Sequence, residues 1–237
     1  MLAITRARSL DRLSRARDEE GLVLVPVGEA ALEAELEVPD GATGLVLFAH
    51  GSGSGRGSPR NQQVARELRA GGLATLVLDL LTRPEQAEDS RTGKLRFDIP
   101  LLAERLEGAT RWAAQQPESA HLPIGYFGAS TGSAAALTAA ARQPDRIRAI
   151  VSRGGRPDLA KEHLAGVRAP TIFIVGGEDL LVVNFNQAAR SRMTATSHLE
   201  IIPGAGHLFE EPGAMQRVSQ LARDWFLRYL ARDNNAT

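Results

Sequence analysis

From Gly44 onward the chain alternates short runs that are apolar throughout with segments of helical spacing, and this alternation decides the fold class before any motif is considered. The apolar runs are GLVLFAH, LATLVLDL, PIGYFGA, IRAIVSR, PTIFIVGG and HLEIIPG. Between and after them, helical patterns cover residues 61–71, 99–115, 130–142, 159–167, 184–193 and 214–230. A strand that is apolar on both faces must be covered on both faces, and a parallel sheet so covered needs crossover helices. The expectation is a doubly wound, mostly parallel α/β sheet.

Ahead of this region, residues 22–27 and 31–38 flank a Gly28-Glu29 turn, and the second run, ALEAELEV, alternates apolar with polar. That pattern predicts an antiparallel hairpin with one solvated face at the edge of the sheet. Residues 1–20 carry five arginines beside four acids and are expected to be a leader with a short helix. Residues 21–232 then form a single domain, followed by a tail over 233–237. Ser58-Pro59 and Asp98 have the chemistry of helix starts, and Leu102, Leu106, Ala109 and Ala113 share one helical stripe.

The 28 basic and 28 acidic side chains cancel, so no long-range field draws the chain to nucleic acid or an anionic membrane. With no cysteine, thiolate metal sites, disulfides and a cysteine nucleophile are excluded. No apolar run is long enough to span a bilayer or to serve as a secretory signal, so a cytoplasmic protein is expected. Neither a metal nor a cofactor is implied.

Ligands of an open parallel sheet bind beyond the carboxyl ends of its strands. After PIGYF comes Gly128-Ala129-Ser130-Thr131-Gly132, opening an alanine-rich helix. This is G-x-S-x-G in the strand–turn–helix setting that exposes a serine hydroxyl above the sheet, at a helix N-terminus suited to a developing oxyanion. A serine needs a base, and the base needs an orienting acid. Asp179 follows PTIFIVGG, with Glu178 as its rival, and His207 follows HLEIIPG between glycine turns. Ser130, Asp179 and His207 appear in the chain order nucleophile, acid, base.

His121, His163 and His198 fall away from the catalytic edge, whereas His50 ends a strand at that edge and is expected to hold the glycine loop that follows it. That loop, His50 to Gly57, supplies the second oxyanion donor in a hydrolase: the Ser52 N–H, with Gly53 as the alternative, beside the Thr131 N–H. A dinucleotide loop is the competing reading, with Asp79 ending the next strand, but the spacing is G-x-G-x-G-x-G and no Walker lysine is present.

GASTG, the GGED and GAGH loops and HGSGSG together resemble the α/β-hydrolase superfamily, nearest its dienelactone-hydrolase-like group, over about residues 21–232. Stretches such as FAHGSGSGRGSPRN and VSRGGRPDL also resemble hydrolase domains that some bacterial proteins carry after a phosphoribosyltransferase domain. The resemblance implies Ser130 as nucleophile, Asp179 as acid, His207 as base and Ser52 with Thr131 as oxyanion donors. Dienelactone hydrolase has cysteine at the nucleophile position, so serine here points to ordinary esters.

Only about 16 residues separate IRAIVSR from PTIFIVGG, which leaves no room for a lid domain. Residues 81–98 are therefore expected to roof the site as a long loop. Arg56 and Arg153, with Arg83 and Arg156, lie in loops at the catalytic edge as candidates for a substrate carboxylate. The expected activity is serine-dependent hydrolysis of a small-molecule ester through an acyl-enzyme. A thioesterase, a peptidase or a non-catalytic ligand-binding protein on the same frame are the alternatives, and nothing in the sequence sets the oligomeric state.

Overall fold

The computed structural model describes residues 21–230, so the leader expected over 1–20 and the tail over 233–237 lie outside the described residues. Eight strands form one sheet in the order β1-β2-β4-β3-β5-β6-β7-β8. β1 (Leu22–Val27) and β2 (Ala30–Glu37) form the expected antiparallel hairpin, turning at Gly28, where φ is 59°. β2 joins β4 (Ala74–Leu78) antiparallel, and every later pairing is parallel, through β3 (Leu45–Ala49), β5 (Ile124–Ala129), β6 (Ile147–Arg153), β7 (Thr171–Gly176) and β8 (Ser197–Ile202). This is the doubly wound, mostly parallel α/β sheet with an antiparallel hairpin at one edge that the sequence pattern implies.

Strand composition follows from which faces are covered. β3, β4, β5 and β7 are buried at every residue, whereas β1 and β2 alternate, with Glu33, Glu35 and Glu37 on the outer face of β2. Two layers of helices do the covering. α1 (Pro59–Ala70) and α6 (Ala214–Leu230) pack one face through Val64, Leu68, Val218 and Phe226 against Val46, Phe48, Phe127 and Ile174. α3 (Ile99–Ala113) and α4 (Thr131–Arg142) pack the other, where Leu102, Leu106, Ala109 and Ala113 form the expected stripe. α5 (Leu180–Arg190) covers the β7–β8 end through Val182 and Val183.

Two expectations fail for local reasons. Residues 81–98 are not a structureless loop: they hold α2 (Arg83–Thr92) and a 3₁₀ turn, Leu95–Phe97. Thr82 and Glu85 form a reciprocal capping box there, with Thr82 N–H donating to Glu85 Oε2 at 2.7 Å, a T-x-x-E signature interrupted by Pro84. The helix expected over 159–167 is instead two 3₁₀ turns, Pro157–Ala160 and Leu164–Gly166. Gly166 weakens any helical extension, and Pro170 holds the chain extended just ahead of β7. Asp98 caps α3 by accepting from Leu101 N–H at 3.1 Å, while the Ser58 side chain makes no capping bond and α1 starts on Pro59 alone. No lid domain interrupts the described residues between β6 and β7.

The hairpin is pressed onto α3 at one point. A β-carbon added at Gly108 would lie 2.2 Å from Val27 Cγ1, far inside contact distance. Gly108→Ala is expected to lower unfolding stability by about 1–3 kcal/mol despite the better helix propensity of alanine. Adding Val27→Ala should restore part of that loss in urea unfolding, and a purely additive double variant would show that the two side chains do not meet.

Candidate active site

β5 delivers Ser130 at the centre of the sheet's carboxyl edge. Its backbone sits at φ 50°, ψ −119°, one of two positive-φ residues other than glycine among the described residues. Such a conformation costs about 1–3 kcal/mol and persists only when the surroundings enforce it. Ser130 N–H donates to the Arg153 carbonyl at 3.1 Å, and Arg156 N–H and Ser133 N–H donate to the Ser130 carbonyl at 3.1 Å each. The flanking glycines are steric requirements. A β-carbon on Gly128 would lie 2.5 Å from Ser133 Cα, and one on Gly132 would lie 2.1 Å from the Ala49 carbonyl oxygen. The Ser130 hydroxyl has no hydrogen-bond partner among the described residues.

Asp179 leaves β7 through the Gly176-Gly177 turn and performs two tasks. Its Oδ1 accepts from Val182 N–H at 3.4 Å, capping α5, while its Oδ2 accepts from His207 Nδ1–H at 2.7 Å. Glu178, the rival carboxylate, is exposed and has no bond to the histidine. With Nδ1 protonated toward the carboxylate, Nε2 carries the lone pair needed to accept a proton. The His207 ring lies 3.5 Å from where a β-carbon of Gly154 would stand, and Gly154 follows the residue whose carbonyl holds Ser130. Loops after β5, β6, β7 and β8 thus converge on one locus.

The glycine loop after β3 runs against the same serine: a β-carbon on Gly51 would lie 3.0 Å from Ser130 Cβ. Ser52 Oγ lies 3.1 Å from Thr131 Oγ1, which ties the loop to the start of α4. The backbone N–H groups of Ser52 and Thr131 have no partner among the described residues. Asp79 closes the loop from behind, accepting from Arg56 N–H at 2.8 Å. Its carboxylate is therefore engaged by the loop itself, which removes the acceptor that a dinucleotide ribose would use.

His50 holds this loop as expected. Leu80 N–H donates to His50 Nε2 at 3.0 Å, so Nε2 must carry the lone pair and Nδ1–H donates to the Gly51 carbonyl at 3.0 Å. The ring is neutral in this arrangement, and burial pushes its pKa below the ordinary 6.5.

The arginines part company. Arg56 is taken by Glu33 at 2.9 Å and Asp79 at 3.3 Å, Arg83 by Glu33, and Arg156 by both oxygens of Asp158. Arg153 has no carboxylate partner among the described residues. It is 8% exposed, with its guanidinium carbon 6.0 Å from the Phe209 ring centre, and burial, with repulsion from Arg60, pulls its pKa down to about 10.

Two further residues gave no signal in the sequence. Asn186, fully buried on α5, donates to the Gly155 carbonyl at 3.0 Å and so braces the turn behind Ser130. Arg96, in the misjudged 81–98 segment, lines a cavity of about 330 Å³ beside Gly51, Ser52 and Thr131. No helix among the described residues is long and apolar enough to cross a membrane.

Residues 42–224 match a family model described as an alpha/beta hydrolase domain. The structure is similar to that of a dienelactone hydrolase from Anabaena variabilis, with 57% identity, a TM-score of 0.87, and coverage of 88% of this chain and 97% of that one. Est1E from Butyrivibrio proteoclasticus shares the fold at 15% identity, with a TM-score of 0.75 over 88% of this chain and 98% of its own. Two Mycobacterium tuberculosis proteins, from strains CDC 1551 and H37Rv and provisionally named phosphoribosyl transferases, are each 51% identical over 214 residues. That match covers 90% of this chain and 47% of theirs, so the chain spans about half the length of these curated relatives.

A buried neutral histidine has a consequence for acid stability. Because the folded pKa of His50 lies below the unfolded one, the unfolded chain takes up the proton first, and the stability from neutral His50, complete above about pH 6.5, is lost as the pH falls. His50→Gln keeps an acceptor for Leu80 N–H and removes the titration. Its urea midpoint is expected to fall less than that of the wild type between about pH 7.5 and about pH 5.5, and an equal fall would place the acid sensitivity elsewhere.

Proposed function

Because the chain belongs to the α/β-hydrolase family, we propose that it is a serine hydrolase that cleaves small carboxylic esters through an acyl-enzyme on Ser130. The observation that carries this reading is the 2.7 Å bond from His207 Nδ1 to Asp179, on loops that converge with a serine held at φ 50°. His207 Nε2 takes the hydroxyl proton as Ser130 Oγ attacks the ester carbonyl, and Asp179 keeps the imidazole in the required tautomer and balances its charge. The Ser52 and Thr131 N–H groups receive the oxyanion, each worth about 3 kcal/mol of barrier. The carbon–oxygen bond to the alcohol then breaks, and His207 returns the proton to the departing oxygen. Water repeats the sequence on the acyl-enzyme, releasing the acid and restoring Ser130.

Short 3₁₀ turns between β6 and β7, in place of a lid domain, support small or accessible substrates over long lipid chains. Of the two arginines considered for a substrate carboxylate, Arg56 is already bound by Glu33 and Asp79, and Arg153 lies beneath Phe209 and Met215. Neither supports that role here. The transferase name of the longer relatives belongs to proteins about twice this length.

Ser130→Ala is expected to reduce turnover of a short-chain nitrophenyl ester by about 10⁴-fold or more and to abolish labelling by a fluorophosphonate, whose adduct in the wild type maps to Ser130. A wild type that neither turns over nor labels would overturn the reading in favour of a ligand-binding protein on this frame.

A further inference from the structure

The cavity beside the oxyanion loop is bounded by Gly51, Thr131, Leu81, Leu102, Gln86 and Arg96. Its position relative to the triad says which part of an ester it can take. In the strand order, β3 and β4 lie on one side of β5, and the strands bearing Asp179 and His207 lie on the other. The leaving oxygen must face His207 to be protonated, so the acyl chain is directed away from it, toward the β3–β4 side where this cavity opens.

Arg96 is the donor built into that space. Its Nε–H donates to Asp89 Oδ2 at 2.7 Å, its Nη2–H to the Asp89 carbonyl at 3.0 Å, and its own N–H to Asp89 Oδ1 at 3.0 Å. Asp89 is 5% exposed, so a buried partner holds the guanidinium at two of its nitrogens. Its Nη1 has no acceptor among the described residues and is the atom nearest a β-carbon placed on Gly53, at 3.9 Å. The unpaired end of the fork therefore faces the loop that borders Ser130. Charge narrows the ligand. Asp89 and Arg96 are the formally charged residues of the lining, and each neutralises the other. Gln86 donates one of its two Nε2–H groups to the Leu81 carbonyl at 3.0 Å, which leaves an uncharged amide with one N–H and its oxygen unpaired among the described residues.

Resting on the serine-hydrolase reading above, we propose that this cavity is the acyl subsite and that Arg96 Nη1 donates a hydrogen bond to an uncharged carbonyl or hydroxyl oxygen carried on the acyl chain. The preferred substrates are then esters of short oxo- or hydroxy-acids rather than of plain alkanoic acids or of dicarboxylic acids.

The test is kcat/KM for nitrophenyl esters in which a ketone is moved along the acyl chain, levulinate among them, each against its alkyl isostere and against the mono-nitrophenyl ester of a dicarboxylic acid of similar length. In the wild type at least one oxo-acyl ester should exceed its isostere by about tenfold or more, the range of a hydrogen bond from a charged donor. Arg96→Met should bring that ratio close to one, and Arg96→Met with Asp89→Asn, which leaves no unpaired buried carboxylate, should do the same. A wild-type ratio near one, a ratio unchanged in the variants, or a preference for the dicarboxylic ester would overturn the proposal. Fluorophosphonate labelling separates the two levels: a labelled, active wild type without the oxo preference removes the subsite alone, whereas an unlabelled, inactive one removes the hydrolase reading with it.

Discussion

Ser130 can hold its left-handed backbone only because two β-carbons are missing around it and three backbone hydrogen bonds tie it down. The absent β-carbon of Gly132 lets α4 begin against the Ala49 and His50 carbonyls, and that of Gly128 lets β5 pass under Ser133. The bond from Ser130 N–H to the Arg153 carbonyl then borrows the end of β6 as a clamp. A strained residue of this kind is stable only when several elements agree on its position, and here β3, β5, β6 and α4 all do. The remainder of the site is arranged around that agreement.

The polar groups under the catalytic edge serve the loops before they could serve a ligand. Asp79 and Glu33 share Arg56, His50 bridges Leu80 and Gly51, and Asn186 ties α5 to Gly155. Loops of this kind are rich in backbone groups without secondary-structure partners, and buried side chains satisfy them. Arg153 differs, a buried cation covered by Phe209 and Met215 with no acid beside it among the described residues. Its main-chain carbonyl has the clearer task, as the acceptor for Ser130.

The two halves of the edge differ in how they are covered. On the far side the link from β6 to β7 is two 3₁₀ turns, and His207 remains partly open, with its side chain 39% exposed. On the β3–β4 side, α2 and its following turn close over the glycine loop, anchored by the Thr82–Glu85 capping box and the Asp89–Arg96 pair. One side leaves the imidazole reachable from solvent, and the other borders a cavity of about 330 Å³.

Local pattern was enough for much of this. Six apolar runs with helical segments between them imply a covered parallel sheet, alternation in ALEAELEV implies the hairpin, and G-x-S-x-G between strand and helix places a serine on a sharp turn, because each depends on residues close in sequence. The order Ser130, Asp179, His207 was legible for the same reason, since each residue follows its own strand. Tertiary structure alone decided the partners. Which of Glu178 and Asp179 faces His207, that Arg56 is bound to Glu33 on a strand 23 residues earlier, and that Arg96 turns its free edge toward Gly53 all depend on elements distant in the chain. No single-chain pattern carries such pairings, because hydrogen-bond geometry across the sheet edge is set only once the strands are in register.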